Sequence, residues 1–243
     1  MSRTSFEKVE ALKNLKDGRR LVVMDRIPEP ELMNGPEQAL AYAQADFEQP
    51  HNQFVELFGK RFSDEKIDGY VLDLGCGPAD VTIRFARAHP NCVIHGIDGA
   101  ENMLKHGRDA IAKQGLEARI SLYCGRLPDI DPPRSSYDVV ISNSLLHHLH
   151  DPMVLWDCVK SYAASKAIVF VMDLFRPAGQ DEAKSLVEQY ASDEPVMLKE
   201  DFFNSLCASF RIEEVDKQLQ GASMERLSTE IVSDRHLIVY GRL

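Results

Sequence analysis

A glycine pair standing where a short apolar run turns into a helical pattern constrains this chain more than any other feature. Tyr70-Val71-Leu72-Asp73-Leu74 has the length and apolar character of a buried strand. Gly75-Cys76-Gly77-Pro78-Ala79-Asp80 follows at once. Beyond it Val81, Phe85 and Ala88 recur at helical spacing, and Pro90 marks the stop. Strand, tight turn and helix in that order predict the first unit of a parallel sheet. Glycines in such a turn let the backbone fold sharply and let a ligand come close. A glycine pair also makes a plain turn, so the pair alone leaves the ligand open.

Four more runs of strand length follow: Val93 to Asp98, Ile120 to Cys124, Tyr137 to Ile141 and Ala167 to Met172. Most are Val- and Ile-rich, as suits strands buried on both faces. Helical patterns fill most of the gaps. One runs from Glu101 to Gln114, with Gly115 as its cap. Another opens at Asp151-Pro152 and buries Leu155, Trp156, Val159 and Tyr162. In the tail a helix runs through Asp201 to Phe210. Ile212 to Leu219 and His236 to Tyr240 then read as two strands joined by a polar loop. The expected fold class is α/β: a Rossmann-like doubly wound sheet of seven strands, mostly parallel, with a C-terminal antiparallel hairpin and helices on both faces. Trp156 and Cys124 are expected in its core.

Residues 1–68 read as a separate N-terminal helical extension or lid, and 69–243 as the ligand-binding domain. Pro36 opens a helix expected to reach Asp46. A second starts near Pro50 and carries Phe54, Leu57 and Phe58 on one face. Segment 19–34 has no period and takes no assignment.

The second predicted strand ends at Asp98, 21 residues after Gly77. An acid there accepts hydrogen bonds from ribose hydroxyls. Loop and acid together point to a nucleoside ligand. A dinucleotide fingerprint wants a third glycine, G-x-G-x-x-G. Asp80 stands in its place. An acid at a helix N-terminus disfavours a pyrophosphate and suits a ligand with positive charge and no phosphate. S-adenosylmethionine, with its sulfonium and ammonium, is such a ligand.

Tyr70-Val71-Leu72-Asp73-Leu74-Gly75-Cys76-Gly77 resembles the first motif of the class I S-adenosylmethionine-dependent methyltransferases. Gly96-Ile97-Asp98-Gly99-Ala100-Glu101-Asn102-Met103-Leu104 resembles their second-strand acid motif. Ser142-Asn143-Ser144-Leu145-Leu146-His147-His148-Leu149, followed by Asp151-Pro152, resembles the fourth-strand motif. Asp173-Leu174-Phe175-Arg176-Pro177 resembles the fifth-strand end in small-molecule members, such as those of quinone biosynthesis. The resemblance implies S-adenosylmethionine as cofactor and a small-molecule acceptor. It puts Asp73, Gly75, Cys76 and Gly77 at the methionyl part, Asp98 at the ribose, and Gly99 and Met103 near the adenine. Gly125, Arg126 and Leu127 would line the adenine edge. Asn143 and Ser144 would lie beside the methionyl end, and His147 near the methyl group.

Two departures stand out. Members often carry an acid after the glycine that ends the third strand, to accept from the adenine amino group. Here Arg126 follows Gly125 and cannot accept that bond. Adenine is then expected to rest on the backbone of Leu127 or on Arg126 stacking. Before the fifth strand, Ala164-Ser165-Lys166-Ala167 replaces the usual Pro-Gly-Gly turn.

His147 is the candidate general base, since an imidazole titrates near neutral pH. His147, His148 and His150 lack the i, i+4 spacing of ligands on one helix, so no metal is expected. Tyr42, Asp46 and His51 are the candidate lid or substrate residues, with His148; Arg26 and Met33 are further candidates. A net charge of −10 repels phosphate backbones and opposes a nucleic-acid partner. Hydrophobic residues at 44% exclude a disordered chain, and no apolar stretch reaches membrane-spanning length. The N-terminus carries no apolar run, so no secretory signal is expected. Five scattered cysteines form no C-x-x-C pair, as in a reduced cytoplasmic protein, monomeric or homodimeric. Three other functions compete. A nicotinamide-dependent oxidoreductase is opposed by the missing glycine. A non-catalytic cofactor-binding or scaffold protein has Arg126 as its support. A tRNA or protein methyltransferase is opposed by the acidic balance and by the lack of an Asn-Pro-Pro-Tyr-type motif.

Overall fold

The computed structural model describes residues 24–45 and 47–243. Seven strands form one sheet: β1 (Tyr70–Leu74), β2 (Val93–Asp98), β3 (Ile120–Cys124), β4 (Tyr137–Asn143), β5 (Ala163–Leu174), β6 (Ser228–Ile231) and β7 (His236–Arg242). Their order is β3-β2-β1-β4-β5-β7-β6. β1 to β5 run parallel, and β7 is antiparallel to both β5 and β6. From β1 the chain first moves outward to β2 and β3, then returns to β4 on the other side. The switch point therefore falls between β1 and β4, where Asp73 pairs with Ile141 and Leu74 with Ser142. This matches the expected fold class.

Eight described helices surround the sheet: α1 (Pro36–Gln44), α2 (Glu48–Arg61), α3 (Asp80–Ala88), α4 (Glu101–Lys113), α5 (Met153–Tyr162), α6 (Gln180–Ala191), α7 (Val196–Ala208) and α8 (Ile212–Gly221). Helices α2, α3 and α4 cover one face, where Phe54, Phe58, Phe85 and Phe170 meet in a buried aromatic cluster. Phe54 and Phe170 pack edge to face at 4.9 Å, and Phe58 and Phe85 at 4.8 Å. Truncating such a ring to alanine costs about 3–5 kcal/mol. Helix α2 is thus held by the same core as the sheet. Helices α5 and α8 cover the other face around Trp156, which is fully buried and donates to Gln218 Oε1 at 2.9 Å. Helices α6 and α7 pack together beyond the end of β5, against Leu174.

Several boundaries differ from expectation. Ile212 to Leu219 is helix, not strand. Ile212, Val215 and Leu219 follow a helical period, and Glu214 accepts from the Arg211 N–H at the helix start. The partner of β7 is instead the short polar strand β6, an edge that needs no apolar run. The tail helix runs from Val196 to Ala208 rather than on to Phe210. Strand β5 begins at Ala163, directly after α5, and a register shift opposite Tyr137 to Val139 takes up the residues that replace the glycine turn. Lys166 there has φ of 67°. Cys124 is exposed, because β3 is an edge strand and its last residue leaves the core. Gly115 does end its helix region, with φ of 65°.

Candidate functional site

The carboxyl ends of β1, β2, β4 and β5 carry two adjoining cavities. The first is bounded by the glycine loop. Gly75 has φ of 74° and a Cβ there would sit 2.8 Å from Leu145, so no other residue fits. Gly77 has φ of 51° and nothing within 4 Å of a Cβ position, so its backbone is open to the cavity. The Gly75 and Cys76 amides donate to Ile97 O, which ties the loop to the end of β2. Asp98 faces the loop from there. Its Oδ2 accepts from Gly77 N at 2.8 Å and its Oδ1 from Ala100 N at 2.7 Å. Each carboxylate oxygen keeps a lone pair for one more donor. Burial raises the Asp98 pKa against these two bonds.

Asp73 is buried at the end of β1 and accepts from Thr82 Oγ1 at 2.6 Å. Burial pushes its pKa up to about 7, opposed by that bond. Burial also drives the Cys76 thiol well above its ordinary value, so it is no nucleophile at neutral pH. Every residue read from sequence as cofactor-binding lines this cavity: Asp73, Gly75, Cys76, Gly77, Asp98, Gly99, Met103, Gly125, Arg126, Leu127, Asn143 and Ser144.

Asp80 also lines it, but its charge is already met. Its Oδ2 accepts from His51 Nδ1 at 2.5 Å and from Arg84 Nε at 2.8 Å. Although burial opposes them, these bonds hold its pKa at about 2. Asp80 is therefore a tie between α2 and α3 rather than a free acid waiting for a cation.

The second cavity has a volume of about 630 Å³ and lies beside the first. Met33, Tyr42, His51, Asn143, Ser144 and His148 line both. At its base sits His147, 2% exposed, on the turn Leu146–His148 after β4. Asp173 at the end of β5 holds it. Its Oδ1 meets His147 Nδ1 at 2.5 Å, and it accepts from the Leu146 and Leu174 amides at 2.7 Å each. Burial works against a charged imidazole, but the Asp173 carboxylate raises the His147 pKa above its ordinary value. Nε2 of His147 has no hydrogen-bond partner among the described residues. His148 differs. Burial and the neighbouring His147 charge press its pKa down to about 3, and its Nδ1 is buried without a hydrogen bond.

A segment that the sequence left unassigned crosses this edge. Arg26 donates to the carbonyls of His147, Leu149 and Ala208 and lies 4.0 Å from the centre of the Phe210 ring. Glu29 places Oε1 3.6 Å from His147 Nε2 and 3.3 Å from His148 Nδ1, and accepts from Ser205 Oγ. Glu31 accepts from the His150 amide and pairs with Arg126. Arg126 therefore clasps the strap at 24–35. It is 61% exposed and borders the first cavity. Leu32 lies over Gly99, where a Cβ would come within 2.8 Å of it.

Tyr42 lines both cavities and packs at a tilt against Phe47, ring centres 4.6 Å apart. Burial raises its phenol to about 12, and the carboxylates of Asp173, Asp98, Asp80 and Asp201 add to this. Asp46 lies outside the described residues. Glu29, His147 and His148 bring three potential ligand atoms within 4.8 Å of one another, a grouping invisible in the sequence because Glu29 is far from the histidines. Glu29, Glu31 and Asp173 were missed as site residues. Only Asp173 carried a signal, as the acid closing the fifth run. Tyr190, Asp201, Ser205 and Arg235, which the fold also brings to the second cavity, carried none.

Residues 71–163 match the family described as "Methyltransferase domain". A trans-aconitate 2-methyltransferase of Mycobacterium tuberculosis is 37% identical over 89 residues, which are 35% of this chain and 31% of the relative. An ajmaline N-methyltransferase of Rauvolfia serpentina is 28% identical over 108 residues, 44% of this chain and 37% of the relative. The chain thus spans about a third of the length of the curated relatives it matches. Among solved structures, a SAM-dependent methyltransferase from Aquifex aeolicus superposes with a TM-score of 0.62 at 17% identity, covering 86% of this chain and 98% of that one. That likeness establishes the fold class. No described helix is long and apolar enough to cross a membrane.

Proposed function

We propose that this chain is a class I S-adenosylmethionine-dependent methyltransferase that methylates a small molecule. The observation that carries this is the pair of adjoining cavities, one built on the glycine loop and Asp98, the other on His147. The residues fit the cofactor's chemistry. Asp73 and Asp98 make the first cavity acidic, which suits an ammonium, a sulfonium and ribose hydroxyls and opposes a dinucleotide's phosphates. Asp98 would take the ribose hydroxyls on its two remaining lone pairs. The loop backbone, Asp73, Asn143 and Ser144 would hold the methionyl part. Gly99, Met103 and the Gly125-Arg126-Leu127 backbone would border the adenine.

When bound, the cofactor would supply an electrophilic methyl group, the electron pair of the broken carbon–sulfur bond staying on sulfur. The chain's own task is alignment, which supplies roughly 7–11 kcal/mol of such a barrier. His147 would take the acceptor's proton on Nε2. Asp173 fixes the ring by holding Nδ1, which leaves Nε2, 3.6 Å from Glu29 Oε1, as the nitrogen that can take a proton. Tyr42, His51 and His148, shared by both cavities, would set where acceptor meets methyl group, with residues 1–68, Asp46 among them, acting as the lid. The acidic balance opposes a nucleic-acid substrate. The five free cysteines fit a cytoplasmic monomer or homodimer.

Thermal unfolding with S-adenosylmethionine, S-adenosylhomocysteine and NADH tests this. A ligand at 100 times its Kd stabilises by about 2.7 kcal/mol, or roughly 5–10 °C at this size. The two sulfur nucleosides should raise the Tm and NADH should not. A rise with NADH alone would make the chain an oxidoreductase. A rise with the sulfur nucleosides but no methylated product from any acceptor would make it a non-catalytic binder.

A further inference from the structure

The second cavity has a consistent chemistry that its fold does not assign. Two carboxylates line it from two places: Glu194 between α6 and α7, and Asp201 on α7. Its lining cations are engaged. Arg235 Nη1 donates to Asp234 Oδ1 at 3.0 Å, with the guanidinium 3.3 Å from the centre of the Tyr190 ring. His51 is paired with Asp80. Asp201 accepts from the neutral amide of Gln38, which leaves its charge uncancelled. Among the described residues the lining is therefore net negative. Aromatic faces complete it: Tyr42, Phe47, Tyr190 and Phe202. Carboxylates beside aromatic rings favour cations, since each ring face is electron-rich.

The base of the cavity adds to this charge pattern. His147 is almost fully buried and lines the cavity, with Nδ1 held by Asp173 and Nε2 3.6 Å from Glu29 Oε1. The buried Nδ1 of His148 makes no hydrogen bond and lies 3.3 Å from Glu29 Oε1. Glu29 lies against both rings and adds another carboxylate behind them. Among the described residues, an anionic acceptor would enter past these acids and find each lining cation already facing a carboxylate: Arg235 with Asp234, His51 with Asp80 and His147 with Asp173.

We propose that the acceptor is a nitrogen base that enters as a cation, its charge held between Glu194 and Asp201 and its body against Tyr42, Phe47 and Phe202; its proton would pass to His147 Nε2, freeing the nitrogen lone pair to take the methyl group as the carbon–sulfur bond breaks. This rests on the methyltransferase reading and adds the substrate class to it. An acceptor whose recognition group is a carboxylate, as in a polycarboxylic acid, is excluded by the same electrostatics.

The test uses the full chain saturated with S-adenosylhomocysteine and titrated with two probes of similar shape, tryptamine and indole-3-propionate. Calorimetry should show tryptamine binding at least about tenfold more tightly. The double variant Glu194→Gln/Asp201→Asn should lose most of that preference while keeping its affinity for S-adenosylhomocysteine, which shows that it has folded. Equal or tighter binding of the acid would overturn the assignment. So would a preference that survives in the double variant, or no binding of tryptamine while S-adenosylhomocysteine binds. Failure of S-adenosylhomocysteine itself to bind would instead strike the methyltransferase reading.

Discussion

Asp98 offers the sharpest test of the first cavity, because its two oxygens have different neighbours and both are fixed. Oδ1 accepts from Ala100 N and Oδ2 from Gly77 N. In Asp98→Asn one of these becomes an NH₂, which cannot accept. One backbone N–H then loses its partner in a buried place, at a cost of about 1–3 kcal/mol. At 243 residues that lowers the Tm of the ligand-free protein by roughly 2–12 °C. The ligand loses more. A hydrogen bond to a charged acceptor is worth about 1.5–3 kcal/mol, so affinity for S-adenosylhomocysteine should fall about 10- to 150-fold. Asp98→Ala removes both acceptors and should fall at least as far. Melting without ligand reports the first cost, and titration calorimetry on the folded variants reports the second. If both variants fold and bind within threefold of the parent, Asp98 does not hold the ribose, and the loop–acid spacing has been misread.

Three other outcomes follow from the same geometry. Asp73, with a pKa raised to about 7, is partly protonated at neutral pH, and a cationic ligand favours its ionised form. Binding of S-adenosylmethionine should therefore release a proton, and affinity should rise with pH up to about 7, by at most tenfold per unit, then level off. Calorimetry near pH 6.5 in two buffers of different ionisation heat checks this; zero net release refutes it. Asp173→Asn should lower kcat by about 10²- to 10⁴-fold with little change in S-adenosylhomocysteine affinity. It should also move the acid limb of the rate profile to lower pH, because the Asp173 charge is what raises His147. An unmoved limb would remove His147 as the base. Finally, EDTA should leave methyl transfer unchanged. Loss restored by added zinc would reassign Glu29, His147 and His148 as metal ligands.

The sheet and the first cavity were legible because both are local. Val- and Ile-rich runs of strand length, each closed by Gly, Asp or Asn, report burial on two faces and a ligand edge within a few residues of sequence. Ile212 to Leu219 failed where two periods overlapped. Its apolar residues at 212, 215 and 219 fit a helix, yet the need for a partner to β7 favoured a strand. Cys124 failed because an edge strand and a central one share the same composition. The second cavity was illegible for a different reason. Tyr190, Asp201 and Arg235 come from three elements of the tail, and no spacing between them encodes the meeting.

The two oddities of the sequence, an unplaced stretch at 19–34 and an arginine where relatives of this type often carry an acid, turn out to be one feature over the described residues 24–34. Arg126 cannot accept from an adenine, but it can hold Glu31, and Glu31 also takes the His150 amide. Arg26 fastens the other end of the strap to the backbone around His147. A strap with no amphipathic period cannot hold itself in place by burial, so it needs such point contacts, each made with a charged side chain. That explains why its period was unreadable while its charges matter. It also places Glu29 against His147 and His148 with nothing in its own neighbourhood of sequence to announce it. Arg126 and Glu31, with Leu32 and Met33 of the strap, thereby form one wall of the first cavity.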